Sequence, residues 1–168
     1  MTRKTRIRAA LVTATALVTA ATVTAGVSAA GSEKAHTTHK PSKKQIAALF
    51  DGWNAALRTG DPEKVADRYA KDAVLLPTLS NKVRTDRAGI VDYMEHFLQN
   101  KPVGKKIETH INVLDGNSAL DSGVYEFTLT DPATGKKRAV EARYTYEYEK
   151  RGGKWLIVNH HSSAMPES

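Results

Sequence analysis

At Ile107 the hydrophobic rhythm of this chain changes, and the change separates a helical half from a sheet half. Beyond it, Ile107, Thr109, Ile111 and Val113 alternate with Glu108, His110 and Asn112 up to an Asp115-Gly116 turn, the period of a half-buried strand. Ser118 to Thr130 reads as the next strand, Asp131-Pro132 through Gly135 as its turn, and Lys137 to Glu149 as a longer strand. This leads into a closing hairpin, Tyr144 to Met165, whose aromatic and β-branched arms flank a charged turn at Lys150 to Lys154. The second arm ends in Asn159, His160, His161, Ser162 and Ser163, an unusually polar strand end where binding or chemistry is to be sought.

Before Ile107 the period is helical. Ser42 and Gln45 form a capping box, and Ile46, Leu49, Phe50, Trp53 and Leu57 then share one face until Gly60 closes the helix. Asp61 and Pro62 open a second helix with Val65, Ala66 and Tyr69 facing inward, followed by a short apolar strand, Ala73 to Leu76, stopped by Pro77. Thr78 to Arg84 reads as a loop or short edge strand. Thr85 or Asp86 caps a third helix that runs to about Gln99 and turns Ile90, Tyr93, Met94, Phe97 and Leu98 inward. Helices grouped before an antiparallel sheet define an α+β domain.

The first thirty residues stand apart. Arg3, Lys4, Arg6 and Arg8 precede an uncharged run from Ala9 to Ala30 that ends in small residues, the pattern of a secretory signal peptide over 1–30, with an uncleaved membrane anchor as the alternative because the run is about long enough to span a bilayer. Residues 31–42 are polar and aperiodic, a disordered linker, and the domain is expected over 43–166. The chain is thus expected to be secreted or extracytoplasmic, with no membrane association once the leader is removed. The leader carries four basic residues and residues 31–44 four more (Lys34, Lys40, Lys43, Lys44), with Glu33 the only acid among them. Of 25 Lys+Arg and 18 Asp+Glu this leaves 17 of each from Gln45 onward. A near-neutral domain argues against a nucleic-acid partner, which requires positive charge gathered on the folded surface. With no cysteine, thiol catalysis and cysteine-built zinc sites are excluded. His36 and His39 in the linker lack further ligands, so no metal site is expected there.

The order of elements, with G60-D61-P62-E63 opening a helix before Y69-A70-K71-D72-A73-V74, resembles the nuclear transport factor two-like superfamily. The closing G153-K154-W155-L156-I157-V158-N159-H160-H161-S162-S163 is similar to the association (hub) domain of calcium/calmodulin-dependent protein kinase II and its free-standing bacterial relatives. The resemblance implies a cone: helices packed in a strongly curved antiparallel sheet, a pocket in its mouth, and dimers formed through the sheet's outer face. Three arginines of the hub pocket are not carried over. Their positions fall on Glu126, Tyr146 and Ser162, so affinity for small carboxylates through that cluster is not implied. The oxidoreductase label borne by some bacterial relatives finds no support in this chain, which lacks a glycine-rich dinucleotide turn after a strand; no cofactor is expected.

Strand alternation assigns faces. With Tyr146 toward the pocket, Ala142, Tyr144 and Tyr148 join it and Arg143 faces away, unless a register shift brings it inward. On the last strand Leu156, Val158, His160 and Ser162 form one face and Trp155, Ile157, Asn159 and His161 the other, so the paired histidines cannot share a metal. Glu126, Tyr146, His160 and Ser162 are expected to meet in the pocket, with Trp53 and Tyr69 as an aromatic wall and Arg143 as a further candidate. Tyr125, Phe127 and Leu129, with Trp155 and Ile157, would then make the outer face apolar and suited to an interface; the reverse assignment sends them into the core. Three functions remain open. One is a homodimer binding a small organic ligand; the second is an isomerase- or dehydratase-like proton-transfer enzyme using Glu126, Tyr146 and His160. The third is an oligomerisation module alone.

Overall fold

The computed structural model describes residues 39–167. The leader 1–30 and the linker as far as residue 38, His36 included, lie outside the described residues. Ser42 caps α1 (Lys43–Leu57) as the sequence requires: its hydroxyl accepts from Gln45 N–H at 3.2 Å, and the Gln45 amide oxygen accepts from Ser42 N–H at 2.8 Å. The inward face of α1 buries Ile46, Phe50, Trp53 and Leu57. Asn54, also buried, uses its amide to bond both the N–H and the C=O of Gly104, each at 2.8 Å, which fixes the helix to the start of the second strand.

The second helix is shorter than the periodicity suggests. Asp61 caps α2 (Pro62–Ala66), which ends before Tyr69; that residue instead opens β1 (Tyr69–Leu76). Leu75 exchanges two backbone hydrogen bonds with Arg84, so the segment after Pro77 returns along β1 as a single bridge. Asp86 caps α3 (Arg87–Phe97) by accepting from Gly89 N–H at 2.7 Å, and a single 3₁₀ turn, Leu98–Asn100, carries the chain to the sheet.

Four strands follow, β2 (Val103–Val113), β3 (Ser118–Thr130), β4 (Lys137–Arg151) and β5 (Lys154–Ala164). The sheet is curled but unclosed, in the order β1-β5-β4-β3-β2. Consecutive strands pair antiparallel as expected, while β1 joins β5 in parallel. The curl is helped by two irregularities. On β2 the register shifts at Ile107, and on β5 at Val158, where Glu147 faces Asn159 but Tyr148 faces Ile157.

The extra residue at Val158 changes which side chains face inward. Ile157 is 1% exposed and shares the inner face with His160 and Ser162, three and five residues on. Its expected place on the outer face is therefore corrected, because strict alternation does not survive a bulge. The larger correction concerns β3. Tyr125, Phe127 and Leu129 are buried against the helices, and Glu126 stands between them on the other side of the strand. Alternation fixes which residues go together but not which set is inside. Ladder pairing settles this, since Tyr125 lies opposite Ala142, an inward residue of β4. The outer face is consequently polar in its middle, where His110, Ser122, Thr145 and His161 form one row across four strands.

Candidate functional site

Between α3 and the inner faces of β3, β4 and β5 lies a cavity of about 230 Å³. Its walls are mainly apolar and aromatic: Trp53 from α1, Tyr93 and Phe97 from α3, Phe127 and Leu129 from β3, and Val140 from β4. At one end Thr78, Tyr125, His160 and Ser162 bring polar atoms to the surface of the cavity, and His96, Asn100 and Arg138 also line it.

The polar end is one hydrogen-bonded chain whose direction is fixed by Tyr125, whose single proton goes to Ser162 Oγ. An indole N–H can only donate, and Trp53 Nε1 lies 3.1 Å from the Tyr69 hydroxyl oxygen. Because Tyr125 has no proton left for His160 Nε2, the neutral imidazole keeps its own proton there and Tyr69 donates to Nδ1 at 2.9 Å. With Nδ1 accepting, neutral His160 carries its proton on Nε2, which faces the Tyr125 hydroxyl at 3.4 Å. Tyr125 in turn donates to Ser162 Oγ at 2.5 Å, and Ser162 meets the Thr78 hydroxyl in a short contact. Burial holds the histidine in the neutral form this chain requires: it lowers the imidazole pKa from 6.5 to about 3, with His161 next door contributing. Burial likewise raises the phenols of Tyr69 and Tyr125, so both remain proton donors.

The structure distributes the sequence candidates unevenly. Trp53, His160 and Ser162 line the cavity. Tyr69 stands behind His160 as its hydrogen-bond donor, and Tyr146 behind it as a stacked ring with centroids 4.1 Å apart. Glu126 and Arg143 do not reach the site. Glu126 faces away from it, opposite Glu141 on the neighbouring strand, and Arg143 is exposed with its Nε donating to Ser163 Oγ at 3.2 Å. Both placements follow from the parity of β3 and β4, which leaves the expected inward carboxylate outside.

The buried carboxylate is instead Asp121, which is 0% exposed and accepts from Lys106 Nζ at 2.6 Å and from the Tyr144 hydroxyl at 3.0 Å. It lies outside the cavity lining. Sequence reasoning missed Tyr125 and Thr78 as members of the polar end. Tyr125 carried a usable signal, because reversing the parity of β3 brings it inward. Thr78 sits in a loop, where no periodicity applies.

An α+β order of this kind, with a curled, unclosed sheet over its helices, defines a nuclear transport factor two-like domain. The family model described as calcium/calmodulin dependent protein kinase II association domain matches residues 42–166, and the chain belongs to that family. Among solved structures, a Xanthomonas campestris protein labelled a calcium/calmodulin dependent protein kinase II association domain is 57% identical with a TM-score of 0.74, covering 79% of this chain and 99% of its own. The association domain of the C. elegans kinase has the same fold at 12% identity and a TM-score of 0.60, covering 73% and 95%. So has a Streptomyces avermitilis protein of the nuclear transport factor two-like family, labelled a dehydratase, at 13% identity and a TM-score of 0.65, again covering 73% and 95%. Among curated proteins none matches the chain.

Proposed function

We propose that this chain is an exported, homodimeric domain that holds a small organic molecule in the mouth of its curled sheet. The observation that carries the reading is the cavity of about 230 Å³, apolar along its walls and polar at one end. An apolar cavity of about 150 Å³ is enough to take up benzene, so a substituted single ring is the right scale. A few fixed polar groups in an otherwise apolar hollow are what orient such a ligand.

Proton-transfer catalysis is less well supported. Glu126, its expected base, faces away, and no carboxylate side chain lines the cavity among the described residues. His160 is a poor substitute, since its Nδ1 accepts from Tyr69 and its Nε2 carries the proton.

Membership of an association-domain family supports self-association. The polar row of His110, Ser122, Thr145 and His161 would make an outer-face interface hydrogen-bonded rather than oily. No helix among the described residues is long and apolar enough to cross a membrane, and the export reading rests on the pattern of residues 1–30.

Native mass spectrometry of the protein as purified tests ligand and assembly together. A dimer retaining an added mass of one small organic molecule per chain is expected. Ala142→Leu, which pushes a larger side chain into the cavity, should keep the dimer and lose the added mass. A dimer that is always empty and takes up no small aromatic molecule would leave the oligomerisation module as the better reading, and a monomer at high concentration would defeat self-association.

A further inference from the structure

The direction of the hydrogen-bonded chain specifies what the ligand must offer. Every proton from Trp53 to Tyr125 is committed to the next member, ending on Ser162 Oγ. Ser162 and Thr78 then share one hydrogen bond. Whichever of the two donates in that bond, one hydroxyl proton of the pair is left over, and both residues line the cavity. An uncommitted donor at an apolar surface is costly unless something accepts from it. Charge narrows the choice further. The members of the inner end are two hydroxyls, a phenol and a neutral imidazole, and Arg138, exposed, lines the cavity six positions along β4 from Tyr144, the partner of Ser162. A carboxylate at this end would be desolvated without a cation to balance it, a much larger cost than an uncharged oxygen incurs.

Resting on the reading of the cavity as a ligand site, we infer that its inner end selects an uncharged hydrogen-bond acceptor. The ligand class is a single aromatic or alicyclic ring carrying a carbonyl oxygen, as in a ketone, aldehyde, ester or amide. The ring lies against Trp53, Phe97 and Phe127, and the carbonyl oxygen accepts the free proton of the Ser162–Thr78 pair.

Three probes of nearly equal shape separate the possibilities with the cavity unaltered. Acetophenone offers the carbonyl, α-methylstyrene replaces its oxygen by a methylene, and benzoate replaces the ketone by a carboxylate. Affinities are read by titration of the tryptophan fluorescence in a Trp155→Phe background, which leaves Trp53 as the one indole, and by ligand-observed NMR, and the acetophenone carbonyl stretch by infrared difference spectroscopy. Acetophenone should bind about tenfold more tightly than α-methylstyrene, the worth of one hydrogen bond, and more tightly than benzoate. Its bound carbonyl stretch should lie below its value in an apolar solvent, where the oxygen has no donor. Equal affinities for acetophenone and α-methylstyrene, or tighter binding of benzoate, would overturn the inference while leaving the cavity a ligand site. No saturable binding of any of the three would overturn the ligand-site reading itself, and the inference with it.

Discussion

Lys106 on β2 and Asp121 on β3 form an ion pair of 2.6 Å in which the lysine side chain is 14% exposed and the carboxylate 0%. The ammonium also reaches Ala47 O at 3.4 Å and lies 5.1 Å from the centre of the Phe50 ring, so one charge ties α1 to the sheet. Removing a single partner leaves the other charge buried and unbalanced, typically at a cost of 3 to 5 kcal/mol. Lys106→Met is therefore expected to destabilise the domain by about 3 kcal/mol or more. The double variant Lys106→Met with Asp121→Asn should recover a large part of that loss. Urea denaturation of the four proteins of the cycle gives the coupling, and additive effects would show that the pair is not linked.

His160 predicts a specific loss of stability in mild acid. Its folded pKa is depressed to about 3 from 6.5 by burial. Between those values the unfolded chain binds a proton that the folded chain refuses, so stability is intact above pH 6.5 and falls as the pH drops below it. The slope approaches about 1.4 kcal/mol per pH unit. His160→Gln should lower stability at pH 7 and flatten the decline between pH 6.5 and 5, before most carboxylates titrate. A parallel slope in the variant would assign the decline to other groups. In the wild type, ¹⁵N NMR should find the proton on Nε2 at pH 7.

Gly123 is where β2 crowds β3 after the Ile107 bulge. A Cβ built there would lie 2.0 Å from the backbone oxygen of Glu108, a contact that only movement of the strand could relieve. Gly123→Ala should thus cost about 3 kcal/mol, at the upper end of overpacking penalties. Gly60→Ala provides the contrast. Its φ is +69° but nothing lies within 4 Å, so it should cost only about 1 kcal/mol through backbone strain. Thermal melts of both variants would rank them, and the opposite order would mean that the sheet yields easily at Gly123.

Much of the fold was legible because its signals are local. The Ser42 capping box, the Asp61-Pro62 start and the period-two strands are properties of neighbouring residues, and they place helices and strands without tertiary knowledge. What failed depends on pairing. The two faces of β3 differ in sequence, Tyr125, Phe127 and Leu129 against Val124, Glu126 and Thr128, but an aromatic-rich face suits a core and an interface alike. Only its register with β4 assigns it to the core. The bulge at Val158 is likewise invisible in the string W155-L156-I157-V158-N159, where four successive apolar residues fit either parity. The site inherited these errors unequally. His160 and Ser162 lie beyond the bulge with their parity intact, whereas Glu126 lost its place as soon as β3 turned over.

The aromatic stack along β4 yields a last prediction, contrary in sign to the usual effect of losing a tyrosine hydroxyl. The hydroxyls of Tyr146 and Tyr148 are buried with no hydrogen-bond partner among the described residues, whereas that of Tyr69 bonds both Trp53 and His160. An unpartnered buried hydroxyl has lost its water without compensation, so its removal costs nothing and can help. Tyr146→Phe should leave stability unchanged or raise it by up to about 1 kcal/mol. Tyr69→Phe, which strands the indole N–H and the imidazole Nδ1, should lower it by about 1 to 3 kcal/mol. Guanidinium denaturation with equal slopes for both variants makes the comparison clean. A loss of about 1 kcal/mol or more in Tyr146→Phe would mean that its hydroxyl has an acceptor in solution, and the space beside Tyr146 would then join the polar end as part of the site.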